Sequence, residues 1–160
     1  MRRLVGLFLL VAFQANAAWV DRADADGDHA TSMNDEGGIL MQFCGTDATC
    51  YWIISIETRC ESGVETPVVI SVPKGAVAAT TRCLNQTQSG GKTFWRKAVY
   101  PFDDVDPLFR GGGIIGMAVP LESGRFRVHR FDTTGNEPVL ERMREWAVKR
   151  SNKNTKGRTL

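Results

Sequence analysis

Four cysteines are the residues in this 160-residue chain whose types and spacing most directly point to a chemistry. Cys44, Cys50, Cys60 and Cys83 are separated by gaps of five, nine and 22 residues, none of which is the short gap of a zinc-ligand pair. Four cysteines allow three disulfide pairings. The turn expected at residues 45–49 favours Cys44 with Cys50 and therefore Cys60 with Cys83. The pattern predicts two structural disulfides and no metal.

Closely spaced carboxylates at residues 24–28 suggest a calcium loop, because Ca²⁺ prefers oxygen ligands and a glycine at the sharp turn. The register argues against it. With Gly27 at the sixth loop position, Arg22 and Met33 occupy the first and twelfth positions, where carboxylates are required. We therefore expect a solvated acidic segment.

Two further clusters are interpreted as turns. Asp103, Asp104 and Asp106 are expected to shape a turn before Pro107. The glycine run at residues 111–113 has the backbone freedom to hold an anion, but it precedes a predicted strand rather than a helix. A hairpin entrance or a bulge is favoured there.

Catalytic residues are not visible in the sequence. Its two histidines, His29 and His129, lie far apart, and no nucleophile motif is near either of them. Disulfide formation would also remove every thiol nucleophile. The sequence predicts a protein that is not an enzyme and uses no cofactor. An unrecognised hydrolase stays open, since a triad assembled from distant residues leaves no mark in one sequence.

A basic cluster in the last predicted hairpin is the candidate surface for a protein partner. Alternation places Arg125, Arg127 and His129 on one face of a strand and Phe126 and Val128 on the other. Arg130 lies next to this face, and the four basic side chains suit an acidic partner. The alternative is a solvated strand face, or one that meets the acidic segment of the same chain.

The amino terminus has the order of a secretory signal peptide. Arg2 and Arg3 precede an apolar stretch at residues 4–13, and Ala15-Asn16-Ala17 forms a small-residue cleavage site. The stretch is far short of the about 20 residues that span a bilayer. Cleavage after Ala17 predicts a periplasmic or secreted mature protein without a transmembrane segment.

Charge is balanced overall but divided along the mature chain, which holds 18 basic and 18 acidic residues. Residues 18–65 contain ten acidic and two basic residues, and residues 66–160 contain eight acidic and sixteen basic residues. A chain with no net basic field is a poor nucleic-acid binder. We expect the two halves to neutralise each other in the folded protein, the alternative being a partner surface.

The mature chain is predicted to be an all-β sandwich or small barrel of about seven antiparallel strands with one C-terminal helix. Short β-branched and aromatic segments alternate with Gly, Pro, Asn and Ser. The predicted strands are 39–44, 50–56, 66–72, 78–84, 93–100, 114–119 and 125–131. Residues 19–36 are expected to be mostly irregular, with a short strand near 30–33.

After Gly135 the apolar period becomes helical, and Leu140, Met143 and Trp146 form a stripe expected to pack against the sheet. Residues 18–150 are predicted to form one disulfide-stabilised domain, and residues 151–160 a disordered basic tail. Trp19 is expected to pin the amino terminus to this domain, the alternative being exposure to a partner.

The layout resembles the invasion-associated locus B family of small exported bacterial proteins. The resemblance rests on positions spread over most of the mature chain: Trp19, the Cys44 and Cys50 pair, Cys60 with Pro67, Cys83, residues 114–119, residues 124–131, Gly135 and the helix start at Val139-Leu140. It implies a periplasmic or secreted β-rich protein linked to host-cell entry, with no catalytic residues. We expect an envelope or host-interaction binding module; the alternative is a periplasmic enzyme inhibitor or immunity protein.

Overall fold

A computed structural model describes residues 19–156, so the predicted signal peptide at residues 1–17 lies outside the described residues. Nine strands form one antiparallel sheet in the described part of the chain. Their bounds are β1 Val20–Ala23, β2 Gly27–Met33, β3 Ile39–Gly45, β4 Cys50–Ile56, β5 Glu65–Val72, β6 Gly75–Ser89, β7 Lys92–Tyr100, β8 Ile114–Pro120 and β9 Phe126–Asp132. Two helices, α1 Phe102–Arg110 and α2 Glu137–Lys156, complete the fold.

The strand count is nine rather than the predicted seven. The seven predicted segments correspond to β3 through β9, and the short strand expected near 30–33 is the second half of β2. The residues at 20–23 and 27–29, which were expected to be irregular, form β1 and the start of β2. The segment at residues 19–36 contains five aspartates, a residue type that is depleted in strands. Strand β2 pairs with β3 along its whole length, and β1 and β2 contact α2. These contacts stabilise strands that the local sequence disfavours.

The sheet is open, with β1 and β9 at the two ends of the order β1-β2-β3-β4-β7-β6-β5-β8-β9. It curls enough for side chains near β1 and β2 to reach β9. The Trp19 indole Nε1 donates to the Asp132 carbonyl at 3.2 Å, and the Asn34 amide donates to the Arg130 carbonyl at 3.0 Å. Trp19 also packs edge-on against Trp52 in the core, so it pins the amino terminus as expected.

The carboxylates expected to form a turn before Pro107 instead begin α1, so that prediction was wrong. Asp103 and Asp104 lie in the first turn, where the positive end of the helix dipole favours negative charge. Val105 and Phe109 are buried in the core. The glycines that follow are the turn from α1 into β8, rather than a hairpin entrance or bulge.

Helix α2 confirms the predicted C-terminal helix, with corrections at its surface and its end. Leu140, Met143 and Ala147 are fully buried in the core. Trp146, predicted to share this stripe, is 37% exposed because it lies at the edge of the helix face that packs against the core. The helix also continues to Lys156, six residues past its predicted end.

Both preferred disulfides are present. Cys44 and Cys50 face each other across the β3–β4 hairpin and are bonded to one another. The Cys60–Cys83 bond ties the loop after β4 to β6. The two bonds leave no free cysteine in the described residues, and they suit an oxidising compartment.

Candidate functional site

The predicted basic cluster on β9 is divided by the strand. Alternation along β9 is as expected, but the face that carries His129 and Phe131 is the buried one. His129 is 2% exposed and so is not part of a basic surface. Arg130 lies on the opposite, outer face together with Phe126 and Val128.

His129 is held between two loops. Its Nε2 lies 3.0 Å from the Thr58 hydroxyl, in the loop between β4 and β5. Its Nδ1 lies 3.5 Å from a Glu36 carboxylate oxygen, in the loop between β2 and β3. Burial lowers the pKa of His129 below its usual range, and the nearby Arg127 guanidinium lowers it further. The imidazole is therefore neutral at neutral pH.

A second titratable group, Lys97, lies on the inner side of β7 and is 2% exposed. Its Nζ is 3.5 Å from the Arg59 carbonyl, in the same loop that carries Thr58. Burial lowers the pKa of Lys97 to about 8. No carboxylate pairs with it among the described residues.

A nucleophilic triad is a hydroxyl, an imidazole and a carboxylate in contact in that order. The side chains of Thr58, His129 and Glu36 follow this order. Their geometry favours a structural role. Thr58 and His129 are both buried, and the 3.5 Å separation at Nδ1 is longer than a normal hydrogen bond. The three side chains connect β9 to two loops that no backbone pairing joins to it.

No strand among the described residues pairs with β9 on the side away from β8. The carbonyls of Arg130 and Asp132 accept bonds from Asn34 and Trp19, so these residues direct their main-chain groups outward. In an antiparallel strand this direction repeats every second residue. Phe126 and Val128 therefore also direct an N–H and a C=O outward, and no hydrogen bond from the described residues reaches them.

A groove of about 480 Å³ runs along this edge, and we call it the β9 groove. One wall is the end of β2 and the loop after it, at residues 33–36. The other wall is Val128 and residues 130–132 of β9, with Ile114 of β8 beside them, and Phe126 lies beyond this wall. Exposed apolar side chains lie in or next to the groove: Met33 (62% exposed), Ile114 (53%), Phe126 (62%) and Val128 (42%). Large exposed apolar side chains gathered in one place are a mark of an interaction site.

The charged halves of the chain neutralise each other, as expected. Five ion pairs join an acidic residue of the first half to a basic residue of the second: Asp21–Arg142, Asp28–Arg150, Glu36–Arg127, Glu57–Lys92 and Glu65–Arg82. Arg127 of the predicted cluster is thus engaged within the chain. No ion pair within residues 19–156 involves Arg125 or Arg130, and both side chains are exposed.

The acidic segment at residues 24–28 forms a turn and binds helix α2. Asp24 Oδ1 accepts the main-chain N–H groups of Asp26 and Gly27. Asp28 is fully buried and pairs with Arg150 of α2 at 2.9 Å. Within the described residues no group of three or more His, Cys, Asp or Glu side chains is arranged to hold a metal ion.

Comparisons with known proteins add no relative. No protein-family model, curated protein or solved structure matches the chain. In the described part of the chain, neither helix combines the length and the apolar character needed to cross a membrane.

The predicted surface consisted of Arg125, Arg127, His129 and Arg130, but in the structure Arg127 pairs with Glu36 and His129 is buried. Alternation shows that β9 has two faces, but it does not show which face the rest of the fold covers. The prediction did not single out Phe126 and Val128, although two bulky apolar residues at alternate positions are visible in the sequence.

Proposed function

We propose that this protein is an exported, non-enzymatic binding module that meets a protein partner at the outer face and free edge of β9. The secretory amino terminus and the two disulfides support an envelope or extracellular location. The resemblance to the invasion-associated locus B family supports a role in contact with a host cell.

The observation that carries the proposal is the exposure of Phe126 and Val128 on a strand whose edge is unpaired. A few buried anchor residues, most often aromatic residues and arginines, supply most of the binding energy in protein interfaces. Arg125 and Arg130 flank them with charge that is not neutralised by an ion pair within residues 19–156. Such charges steer an acidic partner towards the surface.

Photo-cross-linking in native cells tests the proposal. A benzoylphenylalanine at position 126 should capture one protein, identified by mass spectrometry. The same group at position 148 is the control, because Val148 is also exposed but lies on α2. Capture at 126 and not at 148 is expected. Equal capture at both positions, or at neither, would reject this surface as the binding site.

The identity of the captured protein separates the two kinds of binding module. A structural or host-surface protein agrees with the envelope or host-interaction role. An enzyme whose activity falls when the purified proteins are mixed would instead make this chain a periplasmic inhibitor.

A further inference from the structure

We propose that the free edge of β9 takes one extended segment of the partner protein, which adds a strand to the sheet beside Phe126 and Val128. This inference rests on the proposed function and specifies how the partner is recognised. The added strand would lie beside β9, along the half of its edge that the Asn34 and Trp19 side chains leave open.

The main-chain groups needed for strand addition are already in position. Phe126 and Val128 each direct a donor and an acceptor into the open space, and the N–H of Arg130 points the same way. Edge strands with free main-chain groups are templates for pairing with another chain. The other half of the edge is closed, because Asn34 and Trp19 occupy the carbonyls of Arg130 and Asp132.

The loop at residues 33–36 favours a single segment over a second folded sheet. It forms a wall beside one end of the free edge and is joined to β9 by the Asn34 bond to Arg130 and the Glu36 pair with Arg127. The half-open groove of about 480 Å³ at this wall is within the size range of ligand-binding clefts, and Val128 lies at its end. The edge of another copy of this chain would bring its neighbouring strands and loops against that wall.

The chemistry of the segment follows from the side chains it would face. Cross-strand neighbours on one face of a sheet lie about 4.5 to 5.5 Å apart at Cβ, so outward residues of the segment would contact Phe126 and Val128. Apolar residues at alternate positions suit these contacts. An acidic residue suits Arg130, whose guanidinium has no ion-pair partner within residues 19–156. The partner segment is therefore extended, apolar at every second position, and acidic at one end.

A proline substitution separates strand addition from side-chain recognition. Val128→Pro removes the outward N–H and leaves the bonds to β8 intact, because those come from the residues on either side. Val128→Thr is the matched control, since it keeps the N–H and the branched side chain. Thermal unfolding of both variants establishes that they are folded before binding is measured.

The probe is a library of random 12-residue peptides displayed on phage and selected on the purified mature protein. We expect the selected peptides to alternate apolar and polar residues. They should bind Val128→Pro about tenfold or more weakly than wild type, and Val128→Thr within about threefold of it. Failure to select such peptides, or equal binding by a folded Val128→Pro, would overturn strand addition.

The cross-linking experiment distinguishes the failure of this inference from failure of the proposed function. Suppose that the protein captured from position 126 is captured equally well when Val128 is replaced by proline. The outer face of β9 is then a binding site, and strand addition is wrong. If position 126 captures nothing in either background, the proposed function itself fails.

Discussion

At the scale of single residues, the buried polar groups decide which side chains remain for a partner. The buried His129 ring contacts the Thr58 hydroxyl and the Glu36 carboxylate. The buried Lys97 amino group contacts the Arg59 carbonyl. Buried groups of this kind are costly unless they are paired. Lys97 is the least well paired of them, since its contact is a single 3.5 Å bond to a carbonyl.

Replacing Lys97 with methionine should stabilise the protein. Lys97→Met removes a charge that burial disfavours, as its lowered pKa of about 8 shows. A fall in pKa from 10.5 to about 8 corresponds to a cost of about 3 kcal/mol for the charged form at neutral pH, and we expect the gain in stability to be at most about this size. Urea unfolding of both proteins at pH 7 measures the gain. A loss of stability would mean that the amino group has a stronger partner than the Arg59 carbonyl.

The same lysine should make stability depend on pH. Between about pH 8 and 10.5 the unfolded chain keeps the Lys97 proton and the folded protein releases it. The unfolded state then binds more protons, so the free energy of unfolding rises with pH. Comparing wild type with Lys97→Met at pH 7.5 and 9.5 isolates this effect, and their difference in stability should shrink at the higher pH. A constant difference would contradict it.

At the scale of elements, the parts predicted correctly are those whose sequence pattern matches their final environment. Strands β3 to β9 alternate or carry apolar runs, and α2 has a buried stripe at helical spacing. Elements β1 and α1 and the first part of β2 were missed because partners distant in sequence stabilise them. Helix α1 is an example: Asp106 accepts hydrogen bonds from Gln42, Trp52 and Arg144, which come from three other elements.

Loss of the Asp106 carboxylate should therefore destabilise the protein. Asp106→Ala leaves the Trp52 indole N–H without an acceptor and leaves the Arg144 guanidinium with Gln42 as its remaining partner, and loss of a buried acceptor costs about 1 to 3 kcal/mol or more. Asp104→Ala is the matched control, because Asp104 lies exposed on the same helix. Its effect should stay within about 0.5 kcal/mol. Similar melting temperatures for the two variants would show that the Asp106 contacts contribute little.

Helix α2 allows a second comparison between two residues of one predicted stripe. Met143→Ala should cost about 2 to 5 kcal/mol, because Met143 is fully buried. Trp146→Ala should cost less, since the indole is 37% exposed. Denaturant unfolding of both variants ranks them. The reverse order would place Trp146, rather than Met143, in the core.

At the scale of the whole molecule, the pairing of opposite charges and the two disulfides were predictable from composition, but the location of the free edge was not. The division of charge along the chain indicated that its halves would meet, and five ion pairs join them. Which strand ends the sheet depends on strand order. Strand order is set by contacts far apart in sequence, such as the pairing of β5 with β8, and no local pattern reports it.

Backbone amide hydrogen exchange of the isolated mature protein tests most directly whether β9 has the open edge on which the binding proposal depends. Exchange is slow where an N–H is bonded within the sheet and fast where it faces solvent. We predict fast exchange at Phe126 and Val128 and slow exchange at Arg127 and His129, whose N–H groups face β8. Protection of Val128 as strong as that of its neighbours would show that the edge is already paired, and would contradict the account.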